Sequence, residues 1–197
     1  MTEDGRQGTE TLGTQSPVIR HSNPFHPERN PSPMLEIGDR APQFSLPNQD
    51  DQTISLSDFA GQWLVLYFYP KDDTPGCTKE ACDFSDTRED FSGLNAVVIG
   101  VSVDDTSSHR AFIGKYNLGI NLLSDPEKIT HSTYGAWGLK KNYGKEYEGT
   151  IRSTFIISPE GEIAAIWRGV RVRSKTKSGE SKHADKVREK LTQLQAS

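Results

Sequence analysis

The stretch Trp63-Leu64-Val65-Leu66-Tyr67-Phe68-Tyr69 runs without a polar break. An unbroken β-branched and aromatic run of strand length needs cover on both faces, so it predicts a central strand. A second run of this kind, Ala96-Val97-Val98-Ile99-Gly100-Val101-Ser102-Val103, follows it. Between the two, Thr74-Pro75 supplies an N-cap and a proline at the first helical position, and helical composition continues to about Ser92. Strand, helix and strand joined by a crossover of this length make a right-handed βαβ unit with parallel strands.

The remaining segments extend that pattern. Ala41–Leu46 and Thr53–Leu56 alternate apolar and polar residues around the turn-rich Pro47–Asp51, which predicts a hairpin. A helix near Ser107–Tyr116, a short strand at Asn121–Leu123 and a helix near Glu127–Tyr134 continue the alternation. Thr154–Ser158 and Glu162–Trp167 flank the turn Pro159-Glu160-Gly161, and a polar helix from about Lys182 to Gln195 closes the chain. The expected class is α/β: a mixed central β-sheet flanked by helices, an arrangement that resembles the thioredoxin fold. Residues 1–34, rich in Gly, Thr, Ser, Asn and Pro and without apolar period, read as a disordered N-terminal tail before a single domain at residues 35–197.

A net charge of −4 argues against a nucleic-acid surface and against a polybasic membrane anchor. No apolar run reaches the roughly 18 residues of a membrane span. The first residues lack an apolar signal core, and Glu3, Asp4 and Glu10 are unlike an acid-poor transit peptide, so a cytoplasmic address is expected. Two cysteines are too few for a secreted disulfide framework, and any pairing between them is to be judged as redox chemistry. His21, His26, His109, His131 and His183 show no metal-ligand spacing and read as structural or surface residues.

Cys77 falls in the first turn of the predicted helix, just after a central strand ends. Free backbone N–H groups and the positive end of the helix dipole favour a thiolate there, the reactive form of the residue. Sites in open α/β sheets also gather at the carboxyl ends of strands. A cysteine taken alone is more often a small buried hydrophobe; the cap, the proline and Gly76 around this one favour chemistry.

The segment Pro70-Lys71-Asp72-Asp73-Thr74-Pro75-Gly76-Cys77-Thr78-Lys79-Glu80-Ala81-Cys82 contains the Pro-x-x-x-Thr-x-x-Cys pattern of peroxiredoxins and resembles their peroxiredoxin Q, or bacterioferritin comigratory protein, branch. The resemblance runs from about Met34 through the 154–167 hairpin and includes Asp58-Phe59-Ala60-Gly61, Tyr67-Phe68-Tyr69-Pro70 and Gly149-Thr150-Ile151-Arg152-Ser153-Thr154-Phe155. It implies that Cys77 is the peroxidatic nucleophile, that Thr74 holds a peroxide oxygen, that Pro70 shields the thiolate, and that Arg152 stabilises thiolate and transition state. Gly76 would let a peroxide approach the backbone, and Glu80, three residues beyond Cys77, could orient Arg152. The expected substrate is hydrogen peroxide or an organic hydroperoxide. The reductant is thioredoxin or a similar dithiol, no metal or organic cofactor is required, and the expected assembly is a monomer or a weak homodimer.

Oxidation of Cys77 would give a sulfenic acid, and Cys82 is the one thiol in the chain that could condense with it. Five residues along an intact helix separate Cα atoms by about 8–9 Å. A disulfide needs less than about 7 Å. Intramolecular resolution therefore requires the helix around residues 75–85 to unwind, and the four intervening residues fit poorly with the Cys-x-x-Cys of a thioredoxin-like dithiol oxidoreductase. A redox-sensing or holdase protein, whose oxidation switches a binding surface, is the reading from another class. Gly135-Ala136-Trp137-Gly138 and residues 140–145 read as the loop before the arginine strand. Arg168, Arg171, Arg173, Lys175, Lys177 and Lys182 read as a solvated basic face.

Overall fold

The computed structural model describes residues 34–142, 144–176 and 179–196. The expected tail, His21 and His26 lie outside the described residues, apart from Met34. Strands β1 (Ser45–Pro47) and β2 (Thr53–Ser55) form the first hairpin, with Ser45 opposite Ser55. A 3-10 turn at Leu56–Phe59 leads to β3 (Trp63–Phe68). Helices α1 (Pro75–Asp86) and α2 (Arg88–Gly93) cross to β4 (Ala96–Ser102). Then come α3 (Thr106–Tyr116), β5 (Asn121–Ser124) and α4 (Ile129–Thr133). Strands β6 (Trp137–Asn142) and β7 (Lys145–Thr150) pair with each other, and β8 (Ser153–Ile157) and β9 (Ile163–Arg168) complete the main sheet. A last hairpin, β10 (Arg173–Thr176) and β11 (Gly179–Lys182), precedes α5 (His183–Gln195).

The main sheet has the order β5-β4-β3-β8-β9. β3, β4 and β5 are parallel, β8 runs antiparallel to β3, and β9 antiparallel to β8. The unbroken apolar character of β3 follows from its position, because each face meets a separate core. Val65, Tyr67 and Tyr69 pack with Phe84 of α1, Phe91 of α2, Phe112 of α3, and Val187 and Leu191 of α5. Leu64, Leu66 and Phe68 pack on the other face with Phe44, Leu56, Tyr134 and Phe155. Among the described residues no helix is long and apolar enough to cross a membrane.

Three expectations need correction. The helix from Pro75 does not continue to Ser92: it ends at Asp86, and Thr87, at φ −98° and ψ 10°, is both its C-cap and the N-cap of α2. The Thr87 hydroxyl donates to Asp83 O at 2.8 Å, a carbonyl that also accepts the Thr87 backbone N–H at 3.3 Å, so the side chain and backbone of one residue close the last turn together. The stretch before Arg152, read as a loop, is the β6–β7 ribbon, with Trp137 opposite Thr150. The basic stretch is not simply a solvated face. Arg173 and Lys182 are tied to Asp83, and Arg168 donates to Tyr134 O at 3.1 Å and Gly135 O at 3.2 Å. Arg171 and Lys175 are exposed, while Lys177 lies outside the described residues.

Candidate active site

Strand β3 ends at Phe68, and the chain turns through Pro70 to the start of α1. Pro75 takes the first helical position, so Cys77 sits in the first turn. Thr74 is the N-cap residue by backbone conformation, yet its side chain makes no capping bond. Its hydroxyl donates instead to Lys71 O at 2.9 Å, which corrects the capping role expected of it and ties the turn to itself. Pro70 is half-buried, and Cys77 is 2 % exposed.

The register of β8 on β3 brings the distant arginine to this turn. Ser153 lies opposite Phe68, so Arg152, one residue before β8, faces the end of β3 from which the Cys77 turn departs. Arg152 Nη2 donates to Cys77 Sγ at 3.1 Å, and Nη1 makes a charge-assisted bond to Glu80 Oε2. Gly76 runs under the same guanidinium: a Cβ there would lie 3.5 Å from Arg152 Nη2. Glu80, one turn beyond Cys77, is buried. Burial pushes its carboxyl up to about 7 against the opposing pull of Arg152. Burial alone would lower Arg152, but the charges of Glu80 and Cys77 hold the guanidinium above its ordinary value.

Cys82 lies on the same uninterrupted helix, half-buried, and both thiols are free. Burial pushes its thiol up, and the neighbouring Asp86 and Asp83 carboxylates add to this while Arg173 opposes it.

A polar network not visible in the sequence fixes the turn from below. Asp72 is buried, accepts from Tyr69 Oη at 2.6 Å and Ser108 Oγ at 2.7 Å, and lies 2.8 Å from His109 Nδ1. The Asp72 backbone N–H donates to Asp104 Oδ2 at 2.9 Å. The next residue, Asp73, adopts φ 55° and accepts from Lys115 Nζ at 2.6 Å and Tyr116 Oη at 2.5 Å. Helix α3 therefore holds both carboxylates of the turn. Apart from Tyr69, the partners of these two carboxylates and of the Asp72 N–H lie 32 to 43 positions away, and only the Asp pair beside Thr74 could have hinted at an anchor. A cavity of about 430 Å³ bordered by Phe59, Leu64 and Ile157 lies at the opposite end of β3 and includes none of these side chains.

The AhpC/TSA family profile matches residues 37–166. Peroxiredoxin Bcp of Bacillus subtilis is 50% identical over 139 residues, covering 71% of this chain and 88% of the relative. A putative peroxiredoxin Bcp of Coxiella burnetii is 46% identical over 138 residues, 70% of this chain and 91% of the relative. Among solved structures, a PrxQ mutant of Xylella fastidiosa superposes with a TM-score of 0.72 at 36% identity, covering 82% of this chain and 96% of that one. The bacterioferritin comigratory protein of Xanthomonas campestris, described for its alkyl peroxide reduction activity, gives 0.69 at 37% identity, with 77% and 91% covered. Across most of its length, then, the chain belongs to the AhpC/TSA family, as a thioredoxin-fold peroxiredoxin and so a thiol-dependent peroxidase.

Proposed function

We propose that Cys77 is the peroxidatic residue, that Cys82 resolves it through an intramolecular disulfide, and that thioredoxin or a similar dithiol closes the cycle. The observation that carries this reading is the Arg152 guanidinium, which bridges Cys77 Sγ at 3.1 Å and the buried Glu80 carboxylate. The Cys77 sulfur attacks one peroxide oxygen, an S–O bond forms as the O–O bond breaks, and the other oxygen leaves as an alcohol or water after taking a proton. Negative charge moves from sulfur toward the leaving oxygen. Fixed donors at that place stabilise the transition state more than the ground state. Arg152 supplies such donors, oriented by Glu80, and Pro70 limits access of water to the sulfur.

Thr74 already donates its hydroxyl hydrogen to Lys71 O, so its oxygen lone pairs are what it offers to the O–H of an incoming peroxide. Gly76 keeps the backbone below that position bare. The substrates are hydrogen peroxide and organic hydroperoxides; the alkyl peroxide reduction described for the Xanthomonas campestris relative supports the second class.

Attack of the Cys82 thiol on the Cys77 sulfenic acid forms the disulfide and releases water. Stopped-flow oxidation of wild type and Cys82→Ser, followed by steady-state assay with a thioredoxin system, tests the cycle. Cys82→Ser is expected to be oxidised to the Cys77 sulfenic acid by the first equivalent of peroxide and then to fail to turn over with thioredoxin, whereas Cys77→Ser consumes no peroxide. Thioredoxin-dependent turnover of Cys82→Ser at the wild-type rate would overturn the resolving assignment.

A further inference from the structure

The residue after Cys82 is a carboxylate buried on the inner side of α1. Asp83 is 2 % exposed and accepts two bonds from Arg173 of β10, from Nε to Oδ2 at 2.9 Å and from Nη2 to Oδ1 at 2.7 Å. Lys182, at the end of β11, places Nζ 3.2 Å from Oδ1. Arg173 is braced across its own hairpin by Glu180, with Nη1 3.2 Å from Oε2. A planar fork on a carboxylate fixes direction as well as distance, and a buried carboxylate stripped of its partner is strongly penalised.

Asp83 is joined covalently to Cys82, and Arg173 is not part of α1. If residues 75–85 unwind so that residue 82 approaches residue 77, the backbone at residue 83 must turn with it. The fork cannot follow that rotation and keep both bonds. We propose that Arg173, assisted by Lys182, is a latch on α1 that sets how fast Cys82 reaches oxidised Cys77, and hence how much enzyme is carried past the sulfenic acid. The proposal rests on the reading of Cys82 as the resolving thiol.

Two reactions compete for the Cys77 sulfenic acid. In one, the Cys82 thiol attacks its sulfur, an S–S bond forms and water leaves. In the other, a second hydroperoxide transfers an oxygen to sulfur, giving the sulfinic acid and an alcohol or water. The latch slows the first reaction and leaves the second alone. Arg173 is therefore a positioning residue that tunes sensitivity to excess peroxide without touching the substrate. Its charge also opposes the Asp83 and Asp86 carboxylates around the Cys82 thiol, and Arg173→Lys separates the two effects by keeping a cation while removing the fork.

Arg173→Gln and Arg173→Lys are compared with wild type after one equivalent of peroxide, with acid quenching and intact-mass analysis. Disulfide formation should accelerate about tenfold in both, as expected for loss of a buried charge-assisted pair. The sulfinic fraction formed under excess peroxide should fall in step, and the rate of the first oxidation of Cys77 should stay within about twofold of wild type, because Arg173 does not contact the sulfur. Disulfide formation that is unchanged or slower in both variants would overturn the latch. If Arg173→Gln fails to fold, Arg173→Lys alone decides the question. Absence of a Cys77–Cys82 disulfide in wild type would instead overturn the resolving role of Cys82, and with it the need for a latch.

Discussion

Arg152 does two jobs with one planar group: Nη2 faces the sulfur and Nη1 holds the Glu80 carboxylate. A lysine at this position carries the charge but cannot span both partners. Arg152→Lys is therefore expected to lower the second-order rate of Cys77 oxidation about 100-fold, or about 3 kcal/mol of transition-state stabilisation, measured by stopped flow under pseudo-first-order peroxide. Cys77, Thr74, Pro70 and Arg152 could all be picked out from sequence because short motifs carry them. Glu80 and Asp83 could not be weighed so well. Both look like ordinary surface acids of a helix, and the arginine that pairs with each lies 72 positions away for one and 90 for the other. The same holds for Asp72, whose partner His109 showed only that it did not belong to a metal site.

The continuous apolar strands β3 and β4 were readable as elements because burial on two faces leaves no alternation to misread. The β6–β7 and β10–β11 ribbons were not. They stand outside the main sheet, pair only with each other, and carry Lys, Glu, Gly and Ser where a core strand would carry Val or Ile. The break at Thr87 was hidden because both flanking segments have helical composition. One glycine sets the spacing between strand and helix. Gly100 of β4 pairs with Tyr67 of β3, and a Cβ there would lie 2.7 Å from the Tyr67 ring and hydroxyl and 2.8 Å from Leu122 Cδ2. Tyr67 in turn stacks on Phe84 of α1 with centroids 4.8 Å apart. Gly100→Ala is expected to cost about 1–3 kcal/mol by overpacking, read from urea midpoints, and to lower the thermal stability of α1 by pushing Tyr67 toward it.

Across the whole molecule, α5 closes the face that bears α1, and its first residue, His183, is buried between elements far apart in sequence. His183 Nε2 lies 2.9 Å from Thr154 Oγ1 of β8, and its ring meets Trp167 and Phe84 edge-on at 5.6 and 6.1 Å. Burial pushes this imidazole down to about 4, with Lys186 and Arg152 adding to the effect. The folded protein thus holds His183 neutral while the unfolded chain takes up a proton near 6.5. Its contribution is complete above pH 6.5 and is lost as pH falls through 6.5 toward 4, by about 3 kcal/mol. His183→Gln should flatten the pH dependence of the urea midpoint across that window, and an unchanged slope would rule His183 out as its source. The placement of both cysteines on α1 has a thermodynamic counterpart. In the proposed cycle the disulfide cannot coexist with the intact helix, so the packing of Ala81 and Phe84 is forfeited on oxidation and recovered on reduction. Helix folding and reduction potential are then linked quantities, with each 1.4 kcal/mol of recovered packing raising the potential by about 30 mV. Refolding of α1 itself would help drive electrons in from the reductant.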